Sequence, residues 1–263
     1  MRKIEVCCTS VEDVVEAYEG GAIRVELCSA ISCGGVTPSR GLIAEAVAAA
    51  SDTVIPRIKV NVLIRPREGS FVYSPSEVRT MISDIEFCRN AGVDGIVIGA
   101  LTPEGNIDMD SCRRMVAAAG PLSVTFHRAF DVCLNPELAL EQIIDLGCER
   151  LLTSGQQPKA LAGASMIAGL LRQSAERLTV MPGSGINPDN IAEIERITHA
   201  TEFHSTARAA VPDPDLHHVP ELGFDEPAIS PGFVLRTSRN VVRSLVGQIP
   251  AMTVLSWDAS EVL

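Results

Sequence analysis

The sequence predicts an α/β protein of the (β/α)8, TIM-type barrel class, folded as a single domain over residues 1–263. Three observations lead there. Strand-like and helix-like stretches alternate eight times between Ile4 and Arg208, at a spacing of roughly 25 to 30 residues that suits a βα repeat. The chain has 263 residues, 46% of them hydrophobic and 4% aromatic, and α/β barrels commonly run to this length as one domain. The first two strand-like stretches also each carry Glu and Cys at period two, so one of their faces is polar. An open doubly wound sheet is the competing arrangement, but it seldom needs eight repeats.

The elements follow in order. A first strand is expected over residues 4–8. Ser10 then caps a helix over 11–19, with Asp13 completing a Ser-x-x-acid capping box and Gly20-Gly21 ending the helix. The second strand spans 22–28. Gly34-Gly35 turns the loop that follows, Thr37 caps the next helix with Pro38 at its first position, and an alanine-rich stretch fills 42–50. The third strand, 60–65, puts Val60, Val62 and Ile64 on one face and Asn61, Leu63 and Arg65 on the other. Ser74-Pro75 starts a helix that ends near Asn90. The fourth strand is 95–100, followed by a helix over 109–119. The fifth strand, 122–127, turns Ser123, Thr125 and His127 inward and runs on into Arg128-Ala129-Phe130-Asp131. A helix over 136–146 has its acids early, which suits the helix dipole. The sixth strand is 150–154 and its helix lies near 161–176. The seventh, 178–181, ends in Pro182-Gly183-Ser184-Gly185-Ile186 and is followed by a short helix over 190–197. The eighth, 202–205, places Glu202 and His204 on one face. The barrel core thus covers about 4–208. Residues 209–234, with His217-His218, read as a long loop, and 235–263 as a final helix and tail.

Composition narrows the function. A net charge of −11 argues against nucleic acid or an anionic membrane as the main partner. No apolar run approaches the roughly 20 residues of a membrane span. The first residues enter a strand without a signal-peptide core, so the chain is expected to be cytoplasmic. Its eight cysteines then read as reduced thiols. None forms a Cys-x-x-Cys pair, so a structural zinc module is not indicated. No nucleotide-cofactor fingerprint appears either.

On a barrel, inward side chains near the strand C-termini form the site. Those positions hold Glu5, Cys7, Glu26, Cys28, Arg65, His127, Glu202 and His204. Barrel interiors are usually filled by Val, Ile and Leu, and a buried carboxylate is costly unless paired. Eight polar or sulfur side chains at one end therefore favour a ligand site over a structural core. Soft thiolates of Cys7 and Cys28 select Cu(I), with imidazole from His127 or His204 as a compatible further ligand. Neighbouring strands are roughly 4.8 Å apart, so Cys7 and Cys28 could meet one ion, or form a disulfide, which a reducing cytosol opposes. As acid–base candidates, Glu26, His127 and Arg65 support a second reading, an enzyme acting on a small phosphorylated or carboxylated metabolite. Asp131, Glu5 and Glu202 complete the polar set, with Arg65 and Arg128 expected to balance the acids. Gly183, Ser184 and Gly185 after the seventh strand, with Ser205 after the eighth, resemble the anion cradle found on many such barrels. Cys8, Cys33, Cys88, Cys112, Cys133 and Cys148 read as packing or surface residues.

A set of motifs makes a family resemblance specific. Glu-Val-Cys at 5–7, Glu-Leu-Cys-Ser at 26–29, Gly-Gly-Val-Thr-Pro-Ser at 34–39, Ile-Arg-Pro-Arg at 64–67, Gly-Ala-Leu-Thr-Pro-Glu-Gly at 99–105, Thr-Phe-His-Arg-Ala-Phe-Asp at 125–131, Leu-Thr-Ser-Gly at 152–155 and Glu-Phe-His at 202–204 occur in order. The pattern resembles the CutC copper homeostasis family. The resemblance implies a TIM-type barrel, a cytoplasmic protein, self-association as a homodimer or higher homo-oligomer, and a role in copper handling. It aligns Cys7 and Cys28 with that family's proposed Cu(I) ligands, and His127 and His204 with its strand-end histidines. Thr9, Ile23 and Ser70 stand where the family carries acids, Ser184 interrupts its usual Gly-Gly-Gly, and the match fades after Arg208.

Overall fold

The structure, a computed structural model, describes residues 2–51, 58–212 and 233–247. Eight parallel strands form its inner wall: β1 (Lys3–Cys8), β2 (Arg24–Leu27), β3 (Lys59–Leu63), β4 (Gly95–Ile98), β5 (Ser123–Phe126), β6 (Arg150–Thr153), β7 (Thr179–Pro182) and β8 (Glu202–Ser205). Their hydrogen-bonded order is β7-β6-β5-β4-β3-β2-β1-β8, a nearly closed barrel. The seam between β7 and β8 is closed by packing. Gly183 lies so close to β8 that an added Cβ would sit 3.3 Å from that of His204.

The helices alternate with the strands: α1 (Val11–Glu19), α2 (Arg40–Ser51), α3 (Pro75–Ala91), α4 (Met109–Ala119), α5 (Pro136–Asp145), α6 (Ala164–Ser174), α7 (Ile191–Thr198) and α8 (Arg239–Val246). Between strands and helices lies the main apolar core, where one face of each strand contributes: Ile4 and Val6, Val60 and Val62, Ile96 and Ile98, Val124 and Phe126. The opposite face points into the barrel. There the only apolar cluster among the described residues besides the main core is Cys7, Cys28, Leu63 and Val97. The remaining buried polar side chains of the strands, including Glu5, Arg24, Glu26, Asn61, Thr125 and Glu202, fill the interior. Period two thus sorts oil to the outside of the barrel and chemistry to the inside.

Several local expectations are corrected. Thr37 does not cap α2. Its hydroxyl accepts from Arg65 N–H at 2.9 Å and donates to Arg65 C=O at 3.2 Å, tying the loop to the end of β3, while Ser39 Oγ accepts from Leu42 N–H at the helix start. Ser10 does cap α1, but Asp13 accepts from Thr9 N–H rather than from the cap residue. The complete capping box belongs to Ser74 and Glu77 on α3. The 209–234 stretch is not all loop. Strand β9 (Arg208–Pro212) pairs antiparallel with β10 (Phe233–Thr237), and the final helix starts only at Arg239. His217-His218 and the tail beyond residue 247 lie outside the described residues.

Candidate functional site

Adjacent strands bring the sulfurs together. β1 and β2 run side by side with Cys7 opposite Glu26, and Cys28 N–H donates to Cys8 C=O at 2.9 Å. The two sulfurs then sit 3.1 Å apart, both thiols buried. Gly34 and Gly35, at φ +88° and +87°, make this possible. A Cβ on Gly35 would meet Leu63 at 2.7 Å and Cys28 at 3.5 Å, so only glycine lets the loop close over the thiol.

The histidine arrives from the other side of β1. Glu5 is in register with His204 of β8, and His204 Nδ1 donates to Glu5 Oε1 at 2.7 Å. That bond fixes the ring so that Nε2 faces Glu26, 3.7 Å from its Oε2. Ligating atoms of Cys7, Glu26 and His204 fall within 4.8 Å of one another. His127 is not part of this group.

The protonation states follow from burial and neighbours. Burial favours a neutral Glu5, but the His204 bond and the Arg24 charge outweigh it and hold its pKa at about 2. Burial, with the Glu5 charge behind it, raises Glu26 above the usual carboxylate range. For His204, burial opposes the charged ring, yet Glu26 and Glu5 together push its pKa up. The Cys7 thiol is raised well above normal by its Cys28 contact, by burial and by Glu26. A ligand that takes Cys7 as thiolate must therefore displace a firmly held proton.

The acids are not balanced as expected. Arg24, 2% exposed, stands beneath the site, paired with Glu5 and with Glu202 at 2.8 Å. Glu202 also accepts from Arg150 at 3.0 Å. Glu202 opens β8, and it shares a cavity with Lys3, Lys59 and Arg150 at the strand N-termini. It is therefore at the far end of the barrel from the mouth, contrary to expectation. Neither Arg65 nor Arg128 pairs with Glu5, Glu26 or Glu202. Arg24 escaped notice although period two puts it on the face of Glu26 and Cys28. Its partners lie 19 and 178 residues away, and only closure of the barrel joins them.

The other expected residues divide. Arg65 and His127 do line the mouth cavity, of about 410 Å³, together with Cys7, Glu26 and His204. Burial and the Arg65 charge lower the His127 pKa to about 3, so its ring is neutral. Asp131 is a clasp: it accepts from Arg128 Nε at 2.7 Å, from Ser154 N–H at 3.0 Å and from the Thr153 hydroxyl, joining the β5 loop to the end of β6. Ser184, Gly185 and Ser205 line the cavity, while Gly183 donates its N–H to Thr153 C=O. The hydroxyls expected to bind an anion are occupied, Ser184 donating to Pro158 C=O and Ser205 to Ile186 C=O. Lys159, from the loop after β6, joins the lining unannounced by any motif. Among the described residues no helix is long and apolar enough to cross a membrane.

Comparison with known proteins agrees with this architecture. The sequence profile of the CutC family matches residues 2–209. A family protein CutC from Parabacteroides distasonis is 51% identical over 210 residues, 80% of this chain and 84% of that protein. One from Chromobacterium violaceum is 42% identical over 242 residues, 92% of this chain and 96% of that protein. The crystal structure of a CutC from Streptococcus agalactiae, named provisionally as a copper homeostasis protein, superposes with a TM-score of 0.74 at 31% identity, covering 78% of this chain and 99% of that one.

Proposed function

The chain belongs to the CutC family, and from that premise we propose that its barrel mouth binds Cu(I) through Cys7 and Cys28, with His204 as third ligand, as part of copper handling in a reducing cytoplasm. One observation carries this reading: Cys7 Sγ is 3.1 Å from Cys28 Sγ and within 4.8 Å of a ring nitrogen of His204. Two sulfurs and an imidazole are a donor set suited to Cu(I). Glu26 is too hard a ligand for that ion. Its role is to keep His204 in place and to compensate the incoming positive charge. Because Cys7 is held as a thiol, binding releases protons and strengthens as pH rises.

The test is a Cu(I) competition titration under reducing conditions against a chromophoric chelator. Wild type should take one ion more tightly than Zn(II). The Cys7→Ser, Cys28→Ser double variant should lose it, and His204→Gln should weaken it by about tenfold, the loss of a modest ligand contribution of about 1.4 kcal/mol. Unchanged stoichiometry and affinity in the double variant would rule out the thiolate site.

A further inference from the structure

Part of the positive charge at the mouth is paired with no acid among the described residues. In a chain of net charge −11, the cavity is lined by Arg65, Arg128 and Lys159 against one carboxylate, Glu26. Arg128 is paired with Asp131. Arg65 is not paired with any acid among the described residues. Its guanidinium donates to the carbonyls of Cys33, Gly35 and Gly69 at 2.8–3.0 Å and lies over the Phe71 ring. Its Nε has no partner among the described residues, and the residue is 5% exposed. A cation this buried, compensated only by carbonyl dipoles and the Phe71 ring, is costly until a counter-ion arrives.

Donors without acceptors gather at the β7–β8 corner of the same cavity. Ser184 and Gly185 take φ +81° and +71° in succession. The backbone N–H groups of Ser184, Gly185, Ile186 and Thr206 meet no acceptor among the described residues, although their neighbours Gly183 and Ala207 do. The aliphatic chain of Lys159 lies against Gly185, and its ammonium is in no ion pair among the described residues. His127 adds a further unsatisfied group: Nδ1 accepts from Ala129 N–H at 3.1 Å, while Nε2 is buried without a partner among the described residues.

We propose that this cavity is the binding site for a phosphate monoester of a small hydroxylated metabolite. The phosphate sits on the four free N–H groups and Lys159, and the hydroxylated end extends toward Arg65 and His127. Three acceptor oxygens carrying close to two negative charges match several N–H donors and an ammonium better than a two-oxygen carboxylate does. The volume of about 410 Å³ lies in the range of small-molecule sites. Cys7 and His204 line the same cavity, but none of the groups proposed to hold the ester is a copper ligand, so the two readings are tested separately.

The test uses full-length protein kept copper-free with a Cu(I) chelator. Thermal melts and calorimetric titration are run with ribose 5-phosphate, inorganic phosphate, ribose and chloride at one ionic strength. Ribose 5-phosphate should raise the melting temperature most, inorganic phosphate less, and ribose and chloride not at all. Lys159→Glu, at an exposed position, should leave the unliganded melt unchanged and weaken both phosphate probes at least tenfold. The Cys7→Ser, Cys28→Ser variant should keep the response. The proposal is overturned if neither phosphate probe binds wild type, if ribose 5-phosphate binds no better than inorganic phosphate, or if Lys159→Glu binds as wild type does.

Discussion

His127 shows how much one side chain's meaning depends on what surrounds it. In sequence it is a strand-end histidine on the inward face, as eligible for metal as His204. In the fold Glu5 clamps His204, and the acids around it raise its pKa, whereas His127 faces Arg65 and Phe71 and is held neutral, with a pKa of about 3. The consequence is measurable. Below its unfolded value of 6.5 the unfolded chain protonates this ring and the folded chain does not. The stability it contributes is therefore complete above pH 6.5 and is lost as pH falls through 6.5 toward 3, at about 1.4 kcal/mol per pH unit. Urea unfolding of wild type and His127→Gln between pH 6 and 4.5 should show the wild-type slope steeper by about that amount. Parallel profiles would mean that the ring titrates normally. The identities of the site residues were legible because period two fixes which way a strand residue points. Their partners were not, since Arg24–Glu202 and Glu5–His204 are joined only when β8 returns to β1.

At the scale of elements, the repeating units were legible and the returning segment was not. The apolar face of each strand, and caps such as Ser10 and Ser74, announce themselves within a dozen residues. β9 and β10 do not, because Arg-Ala-Ala-Val-Pro has little β character and its partner strand begins more than twenty residues later. The link between the two regimes is Asp13. One carboxylate oxygen accepts from Thr9 N–H at 3.0 Å and from the Thr9 hydroxyl at 2.9 Å, and the other accepts from Thr237 N–H at 3.1 Å, at the end of β10. An acid in the first turn of α1 thus anchors the segment leading into α8. Asp13→Ala strands two backbone donors, and each stranded buried donor costs about 1–3 kcal/mol. The variant should lower the urea midpoint and speed amide exchange at Thr237, with the barrel strands less affected. Exchange at Thr237 equal to wild type would show that the anchor is dispensable.

Over the whole molecule the barrel is completed by a helix outside the stretch that the family profile matches, residues 2–209. α8 covers β1 and α1 with Val242 and Leu245, both fully buried, and with Val241 and Val246 nearly so. Gly20 is required beneath it: a Cβ there would lie 2.4 Å from that of Val242. Arg239 pairs with Glu16 and Glu19 on α1, and Arg2 reaches from the chain start to Leu245 C=O at 3.2 Å and to Glu195 at 2.8 Å. The exposed ion pairs orient α8, and each contributes little by itself. The apolar face holds it, since burying a side chain of this size contributes about 1.5–3 kcal/mol. β1 carries both Cys7 and Glu5, so loosening its outer cover should loosen the site. Val242→Asp in the full-length chain would put an unpaired charge against Gly20. It should lower the melting temperature by several degrees, raise hydrophobic-dye fluorescence and weaken Cu(I) binding, with Cys7 and Cys28 untouched. Arg239→Ala, which removes only the exposed pairs, should change none of the three by much. If Val242→Asp melts as wild type does, α8 is not part of the barrel's stabilising cover, and the mouth is held by the eight strands and the preceding seven helices alone.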